Sequence, residues 1–359
     1  MALSSPPVLA LDLGGTRVRA AVVLPDGNRV SRVETETPSA AGPEAVVRAC
    51  QDAVAAARAG APDEVRSQLA GVGISSPGPV DPMTGVVLEP PNLGPDFHDI
   101  RLAAALAEST GLPSFLDRDT NVAALGEHAF GAARDVDDFI YLTVSTGVGG
   151  AIVAGGRLFH GPDGIAGELG HLQVALEGPR CGCGGEGHVE AFAGGASLAR
   201  EARALVNAGA SPFLARRARE LGEAAELSAR DVGDGARAGD PACVELMARA
   251  RRAVAAGCVG YVHAFNPHLL VIGGSIAEAE GEQLLAPIRA AIARGTFAVF
   301  ARHVTVVPAG LGGDVSLAGC HPLVLSRLAY ERPAIGNPMS MPSTEPTGAV
   351  GASPGGTPR

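Results

Sequence analysis

The sequence predicts an α/β fold made of two similar halves that face a cleft. Each half presents a buried strand, a glycine turn, a second strand and then helices. Glycine turns of this kind bring backbone N–H groups onto a phosphate, and one of them occurs in each half. At 359 residues the chain is long enough for two domains with separate cores.

The first half opens with residues 8–21, which read as a buried strand, a glycine turn and a second strand. Residues 43–59 have apolar side chains at helical spacing, including Val46, Cys50, Val54 and Ala57, and therefore predict an amphipathic helix. The same reasoning predicts strands at 29–36, 69–75 and 114–117, and helices at 102–109 and 120–130.

The second half repeats this order. Strands are expected at 139–144, 150–153, 269–272 and 304–307, and helices between 197 and 221, at 241–265 and at 315–328. We expect an N-terminal domain over 1–121, with a C-terminal helix at 315–330 packing back on it, and a C-terminal domain over 122–314. Residues 332–359 are rich in Pro, Ser, Gly and Thr, and we expect a disordered tail there.

The composition excludes several classes of protein. A net charge of -10 argues against a nucleic-acid surface, which needs clustered positive charge. The sequence has neither a signal-peptide pattern nor an apolar run of membrane-spanning length. Its 6 cysteines are too few for a disulfide framework in a chain of this length. The prediction is a soluble cytoplasmic protein with no nucleic-acid or membrane partner.

A short glycine-rich segment between Glu168 and Glu190 contains a candidate metal site. His171, Cys181, Cys183 and His188 supply two imidazoles and two thiolates, which is a complete tetrahedral set for a structural zinc. A disulfide between the two cysteines is a poor rival, because one intervening residue forces strained geometry. The remaining alternative is a flexible loop that happens to contain two thiols.

The first glycine turn, D-L-G-G-T-R, begins at Asp12. Gly14 and Gly15 are able to take positive φ and direct backbone N–H groups at a phosphate, while Thr16 adds a hydroxyl donor and Arg17 a charge. An ordinary tight hairpin explains the same residues equally well.

The second glycine turn, S-T-G-V-G-G, follows a buried strand and contains Thr146, Gly147 and Gly149. Alone it is weak evidence for a function. Together the two turns favour a cleft ATPase, which needs donors on both sides of a triphosphate.

The segment D-R-D-T-N lies between a strand and a helix and contains Asp119. Phosphoryl transfer to an alcohol needs a carboxylate that orients the hydroxyl and accepts its proton. We therefore expect Asp119 to be the catalytic base. The structural alternative is a helix N-cap formed by Asp119 or Thr120.

The pattern E-L-G-H followed by C-G-C-G resembles the signature of the ROK family (repressor, open reading frame, kinase), whose members are sugar kinases and sugar-responsive repressors. The resemblance covers about residues 8–328. It implies the actin-like ATPase (ribonuclease H-like) fold with two similar domains around a cleft. The family usually has a third cysteine where this chain has His188, and histidine is a competent zinc ligand.

The resemblance also implies roles for single residues. It places Asp12 near Mg²⁺ and the terminal phosphates, and it places Asp119 as the base. Gly273 and Gly274, in a third glycine turn, resemble a segment that contacts adenosine. The candidate sugar ligands are Asn92, Arg118, Asp119, Glu168, His171 and Glu190.

Arg118 departs from the family pattern, in which an asparagine at this point binds a sugar hydroxyl. Arginine donates hydrogen bonds but cannot accept them. It either points into the cleft and donates to the sugar, which is the arrangement we favour, or it turns away and pairs with an acid such as Asp117.

The predicted function is ATP-dependent phosphorylation of a hexose, with glucose first and mannose, fructose, allose or an N-acetylhexosamine next. The implied cofactors are structural Zn²⁺ and Mg²⁺ with ATP, and polyphosphate remains an alternative donor. A homodimer or higher oligomer is expected by resemblance. A repressor is disfavoured because Asp12 lies too near the start for a preceding DNA-binding domain, whereas a non-catalytic sugar sensor would explain Arg118.

Overall fold

Two five-stranded sheets form the framework of the chain. The computed structural model describes residues 5–90, 92–222 and 226–331. The tail expected at 332–359 lies outside these residues.

The strands alternate with helices along the chain, as the sequence predicts. The strands are β1 (Val8–Leu13), β2 (Arg17–Val23), β3 (Arg29–Glu36), β4 (Val72–Ser76), β5 (Val80–Asp81), β6 (Val86–Val87), β7 (Ser114–Arg118), β8 (Phe139–Val144), β9 (Val148–Ala154), β10 (Arg157–Leu158), β11 (Leu269–Gly273) and β12 (Thr305–Pro308). The helices are α1 (Pro43–Gly60), α2 (Asp63–Arg66), α3 (Leu102–Thr110), α4 (Asp119–Phe130), α5 (Val189–Ala193), α6 (Gly195–Asn207), α7 (Pro212–Leu221), α8 (Ala229–Arg237), α9 (Pro241–Phe265), α10 (Ser275–Glu280), α11 (Glu282–Gly295), α12 (Ala298–Ala301) and α13 (Val315–Glu331).

The two sheets repeat one topology. The first has the strand order β3-β2-β1-β4-β7 and the second the order β10-β9-β8-β11-β12. In each sheet three antiparallel strands are extended by two parallel strands. This repetition confirms the prediction of an α/β fold built from two similar halves.

Both faces of the first sheet are covered, which explains why β1 is buried along its whole length. Helices α1 and α3 pack on one face, and α13 packs on the other against β1 and β4. Helix α4 also contacts β8 and β9 of the second sheet. It begins directly after β7, so its first residue lies where the two sheets approach each other.

The second sheet packs on long helices, of which α9 is the longest at 25 residues. Helix α9 is where the sequence predicts it, because Pro241 opens it and the side chain of Asp240 accepts hydrogen bonds from the first-turn N–H groups. The prediction missed α8, α11 and the β5–β6 hairpin. The domain boundaries at residues 121 and 314 stay a prediction. Among the described residues, no helix combines the length and apolarity needed to cross a membrane.

Candidate active site

Asp12 lies at the end of the first hairpin and is 6% exposed. Its Oδ1 accepts a hydrogen bond from Ser75 Oγ at 2.8 Å, and its Oδ2 accepts one from Arg19 Nε at 2.9 Å. Arg19 also donates to the carbonyl of Gly313 at 2.6 Å. Sequence reasoning missed Arg19, although it is the cross-strand partner of Asp12 in the hairpin register, where opposite charges attract.

The first glycine turn differs from the expectation. Neither Gly14 nor Gly15 has positive φ. The N–H of Gly14 closes the turn onto the carbonyl of Arg17 at 2.9 Å, so it is not directed at a phosphate. Glycine is required at position 15 because the turn lies close to Asn92. A Cβ at this position would lie 2.8 Å from Cβ of Asn92. Arg17 is exposed and pairs with Glu34.

The second glycine turn contacts α4 and α5. The N–H of Val148 donates to Glu190 Oε2 at 2.9 Å. A Cβ on Gly147 would lie 2.5 Å from the same carboxylate oxygen, and a Cβ on Gly149 would lie 2.7 Å from Cγ2 of Thr120. The turn therefore lies beside the first residues of α4, which include Asp119.

Asp119 is the first residue of α4 and is partly buried. The N-cap position belongs to Arg118, so Asp119 is not the N-cap of this helix. Its Oδ1 accepts a hydrogen bond from the N–H of Thr120 at 2.7 Å. Burial raises the pKa of Asp119 to about 6, and the negative charges of Asp12 and Glu168 act in the same direction.

Arg118 is close to the second of the two suggested arrangements, in which it pairs with an acid, but the acid is not its neighbour in the sequence. Its side chain is buried, and it pairs with Glu168 instead of Asp117. Its Nη2 donates to the carbonyls of Gly150 at 2.8 Å and Ala166 at 2.9 Å. Both terminal nitrogens of Arg118 thus bind protein groups. The expected hydrogen bond from Arg118 to a sugar stays a prediction.

The four candidate zinc ligands converge. Their donor atoms all lie within 4.8 Å of one another. The Sγ of Cys181 is 3.5 Å from Nδ1 of His171, and the Sγ of Cys183 is 3.4 Å from Nδ1 of His188. Ligands held about 2.0–2.3 Å from a tetrahedral zinc lie roughly 3.3–3.8 Å apart. The two pairs above fall in this range, and the four donor atoms together could hold a zinc ion.

The backbone that presents these ligands folds back on itself. The loop closes through Cys181 N–H to the carbonyl of Gly185 at 2.8 Å and Gly184 N–H to the carbonyl of Cys181 at 3.0 Å. Burial raises the pKa of the Cys181 thiol to about 11. A thiol of this kind becomes a thiolate when a metal binds it.

The metal cluster is joined to the second glycine turn by Glu190. This residue accepts from Cys181 Sγ at 3.5 Å with one oxygen and from the Val148 N–H with the other. His171 follows Glu168 in a 3₁₀ turn, and its Nε2 is 3.8 Å from Oε2 of Glu168. The predicted sugar ligands Glu168, His171 and Glu190 are therefore neighbours of the metal cluster.

A cavity of about 820 Å³ lies beside the second glycine turn. Its lining includes Ser145, Thr146, Ser275, Ile276 and Met247. Ser145 and Ser275 also lie close together, with their hydroxyl oxygens 3.0 Å apart. A volume of this size is within the range of pockets that hold drug-sized ligands.

Gly273 is the last residue of β11, and Gly274 follows it directly before Ser275, which lines the cavity. Gly274 has a φ of +94°, and a Cβ there would lie 2.5 Å from Oγ1 of Thr143. The third glycine turn is thus held against β8, and it directs the chain into α10, whose first residues line the cavity.

The sequence matches the model of the ROK family over residues 8–327. Glucokinase of Thermotoga maritima is 34% identical over 321 residues, which are 89% of this chain and 98% of that protein. N-acetylmannosamine kinase of Escherichia coli is 35% identical over 311 residues, which are 87% of this chain and 96% of that protein.

A solved structure has the same fold. It is a ROK family glucokinase from Streptomyces griseus in complex with glucose and AMPPNP, and it is 33% identical to this chain with a TM-score of 0.73. The alignment covers 90% of this chain and 99% of that one. This likeness confirms the predicted actin-like ATPase architecture.

Proposed function

The chain belongs to the ROK family, and on this premise we propose that it transfers the γ-phosphoryl group of MgATP to the 6-hydroxyl of a hexose. Glucose is the favoured substrate, because glucokinases are among its relatives over nearly the whole chain. The product would be glucose 6-phosphate.

The environment of Asp119 is the observation that carries this proposal. A base that accepts a proton from a sugar hydroxyl works best when its pKa lies near the working pH. Burial raises the pKa of Asp119 to about 6, so the carboxylate is mostly ionised at pH 7 and is still basic enough to take a proton. The second glycine turn lies next to it through Thr120 and Gly149.

The nucleotide would lie between the two glycine turns, with its nucleoside in the cavity beside Ser145 and Ser275. Asp12 would face the Mg²⁺ and the phosphates, and Arg19 holds its carboxylate in a fixed orientation. When Mg²⁺ is bound with ATP, it neutralises charge on the phosphates.

The sugar would meet Glu168, His171 and Glu190 on one side and Asn92 on the other. Carboxylates suit pairs of sugar hydroxyls, because each oxygen accepts a charge-assisted hydrogen bond. The zinc proposed for His171 and its three partners would have a structural role, since all four tetrahedral positions are filled by protein ligands. It would fix the ring of His171 toward the sugar.

A coupled assay with purified protein, ATP and a panel of sugars tests this function. We expect kcat/KM to be highest for glucose, and 6-phosphorylation of the product to be visible by phosphorus NMR. A parallel reaction with polyphosphate in place of ATP identifies the donor. Absence of phosphorylation of every sugar with either donor would refute the kinase proposal and leave a sugar sensor.

N-acetylmannosamine is the second candidate substrate. The kinase for this sugar from Escherichia coli is as similar to the chain as the glucokinases are. The same panel of sugars decides between the two substrates. A higher kcat/KM for N-acetylmannosamine than for glucose would change the proposed substrate and leave the proposed kinase reaction as it is.

A further inference from the structure

Two neighbouring residues at the end of β7 reach from the first sheet to a loop of the second half. This 159–168 loop joins β10 to the 3₁₀ turn that carries His171, and it ends at Glu168. The two residues are Asp117 and Arg118. Both are buried, at 1% and 7% exposure, whereas the loop side chains that they contact, His160 and Glu168, are partly exposed.

The guanidinium of Arg118 is enclosed by the loop. Its Nη1 donates to Glu168, and its Nη2 donates to the carbonyls of Gly150 and Ala166 at 2.8 and 2.9 Å. A Cβ on Gly167 would lie 2.7 Å from Nη2, so only glycine fits there. No acceptor lies within reach of its buried Nε among the described residues.

Asp117 makes the second connection. Its Oδ2 lies 2.8 Å from Nε2 of His160 in the loop. Its Oδ1 accepts from the backbone N–H of Arg118 and from Nδ2 of Asn121, both at 2.8 Å. The carbonyl of His160 in turn accepts from the N–H of Ala166 at 2.9 Å, which closes the loop.

We propose that Arg118 is a positioning residue that holds Glu168 for the sugar and does not itself bind the sugar. Both of its terminal nitrogens are bound to protein groups: Nη1 holds Oε1 of Glu168, while Nη2 is anchored by the two backbone carbonyls. Glu168 is 50% exposed, and its second oxygen lies on the side of His171. Arg118 holds Oε1, so Oε2 is the oxygen that we expect a sugar hydroxyl to reach.

This inference rests on the proposed function, because it assumes that Glu168 binds the sugar. Asp117 and His160 support the same arrangement by holding the start of the loop, while Arg118 holds its end. The loop and the end of β7 thus form one unit across the two halves of the chain.

A double-mutant cycle tests the proposal. Arg118→Gln, Glu168→Gln and the double variant are compared by the KM for glucose, the KM for ATP and the glucose Kd from calorimetry. Calorimetry is needed because the chain has no tryptophan to report binding by fluorescence. Arg157→Gln, at an exposed arginine of β10, is the matched control.

Arg118→Gln is expected to raise the glucose Kd and KM by about tenfold, which is the loss expected when one charge-assisted contact is displaced, and to leave the KM for ATP unchanged. In the Glu168→Gln background the same change should raise the Kd by less than about threefold, because Arg118 then has no carboxylate to position. A full tenfold effect in that background would show that Arg118 binds the sugar directly, and would overturn the proposal.

Arg118→Lys covers the case in which Arg118→Gln does not fold. Lysine keeps the charge, but its single nitrogen cannot occupy the separate positions of Nη1 and Nη2 that bind Glu168 and the two carbonyls, so an intermediate Kd is expected. A Kd for Arg118→Lys equal to that of the wild type would show that the fork is not needed, and would count against the proposal.

Hydrogen exchange separates this inference from the proposed function. In the absence of sugar, Arg118→Gln or Arg118→Lys should speed exchange in peptides that cover the 159–168 loop, whereas Arg157→Gln should not. If the wild type phosphorylates no sugar, the proposed function fails. Faster exchange of the loop in the Arg118 variants would still show that Arg118 holds the loop in position. Unchanged exchange in the loop would overturn it whatever the activity.

Discussion

Replacing Asp119 with asparagine separates its catalytic role from a structural one. Asparagine has the shape of the protonated acid and its side-chain oxygen still accepts from the Thr120 N–H, but it cannot accept a proton at neutral pH. We expect Asp119→Asn to lower kcat by at least about 100-fold, which is the usual contribution of a general base. The glucose Kd should change little, because the proposed sugar ligands Glu168, His171 and Glu190 remain in place.

The same variant should be more stable than the wild type at neutral pH. Burial raises the pKa of Asp119 from 3.8 to about 6, which corresponds to up to about 3 kcal/mol of destabilisation of the folded state once the group is ionised. This destabilising contribution of Asp119 is therefore absent below pH 4 and develops as the pH rises through about 6. The stabilisation by Asp119→Asn should appear at pH 8 and vanish near pH 4.

The activity of the wild type should follow the ionisation of Asp119. With a pKa of about 6, roughly 90% of the enzyme has the ionised base at pH 7 and about 10% at pH 5. We expect kcat/KM for glucose to fall about tenfold between these pH values. A coupled assay in a constant-ionic-strength buffer gives the profile, and urea unfolding at each pH gives the free energy of unfolding.

Asp52→Asn is the matched control, because Asp52 is an exposed carboxylate on α1. It should alter neither the activity nor the pH dependence of stability. Near-normal turnover of Asp119→Asn would refute the assignment of the base. A rate that stays constant down to pH 5 would refute the raised pKa as the basis of the pH dependence.

Three further predictions concern other parts of the site. Cys181→Ser should reduce the zinc content from about one ion per chain and raise the KM for glucose more than it lowers kcat. A wild-type protein that contains no zinc by elemental analysis would contradict this prediction. Ala199 lines the cavity beside the second glycine turn, so Ala199→Leu should raise the KM for ATP about tenfold without changing the glucose Kd. An unchanged KM for ATP would show that the nucleoside binds elsewhere. Tyr261→Phe removes a 2.6 Å hydrogen bond to the buried carbonyl of Leu169, so the free energy of unfolding measured in urea should fall by about 1–2 kcal/mol, and no loss would show that the bond contributes nothing net.

Local patterns in the sequence were sufficient to predict most of the fold. Helix α9 has its predicted bounds because proline opens it and Asn266 ends it in the left-handed conformation. Helix α11 was missed although Leu284, Leu285, Ile288 and Ile292 are buried on one face, because Pro287 interrupts the pattern near its start.

The cluster of candidate zinc ligands was predictable as a set for a related reason. His171 and His188 are close in the sequence, and the loop between them closes through its own backbone hydrogen bonds. Histidine and cysteine at this spacing have few structural explanations other than a metal. Convergence of these four side chains therefore depends little on how the two sheets pack.

The partners of the acidic and basic residues were decided by the tertiary structure. Arg118 pairs with Glu168, 50 positions later, and Asp117 with His160, 43 positions later. These pairs form because β7 ends where the second half of the chain brings its loop, and no local pattern encodes that meeting. The sequence determines that a positive charge lies beside Asp119. Because an arginine side chain reaches several acceptors from one backbone position, the packing of the two halves determines which group that charge holds.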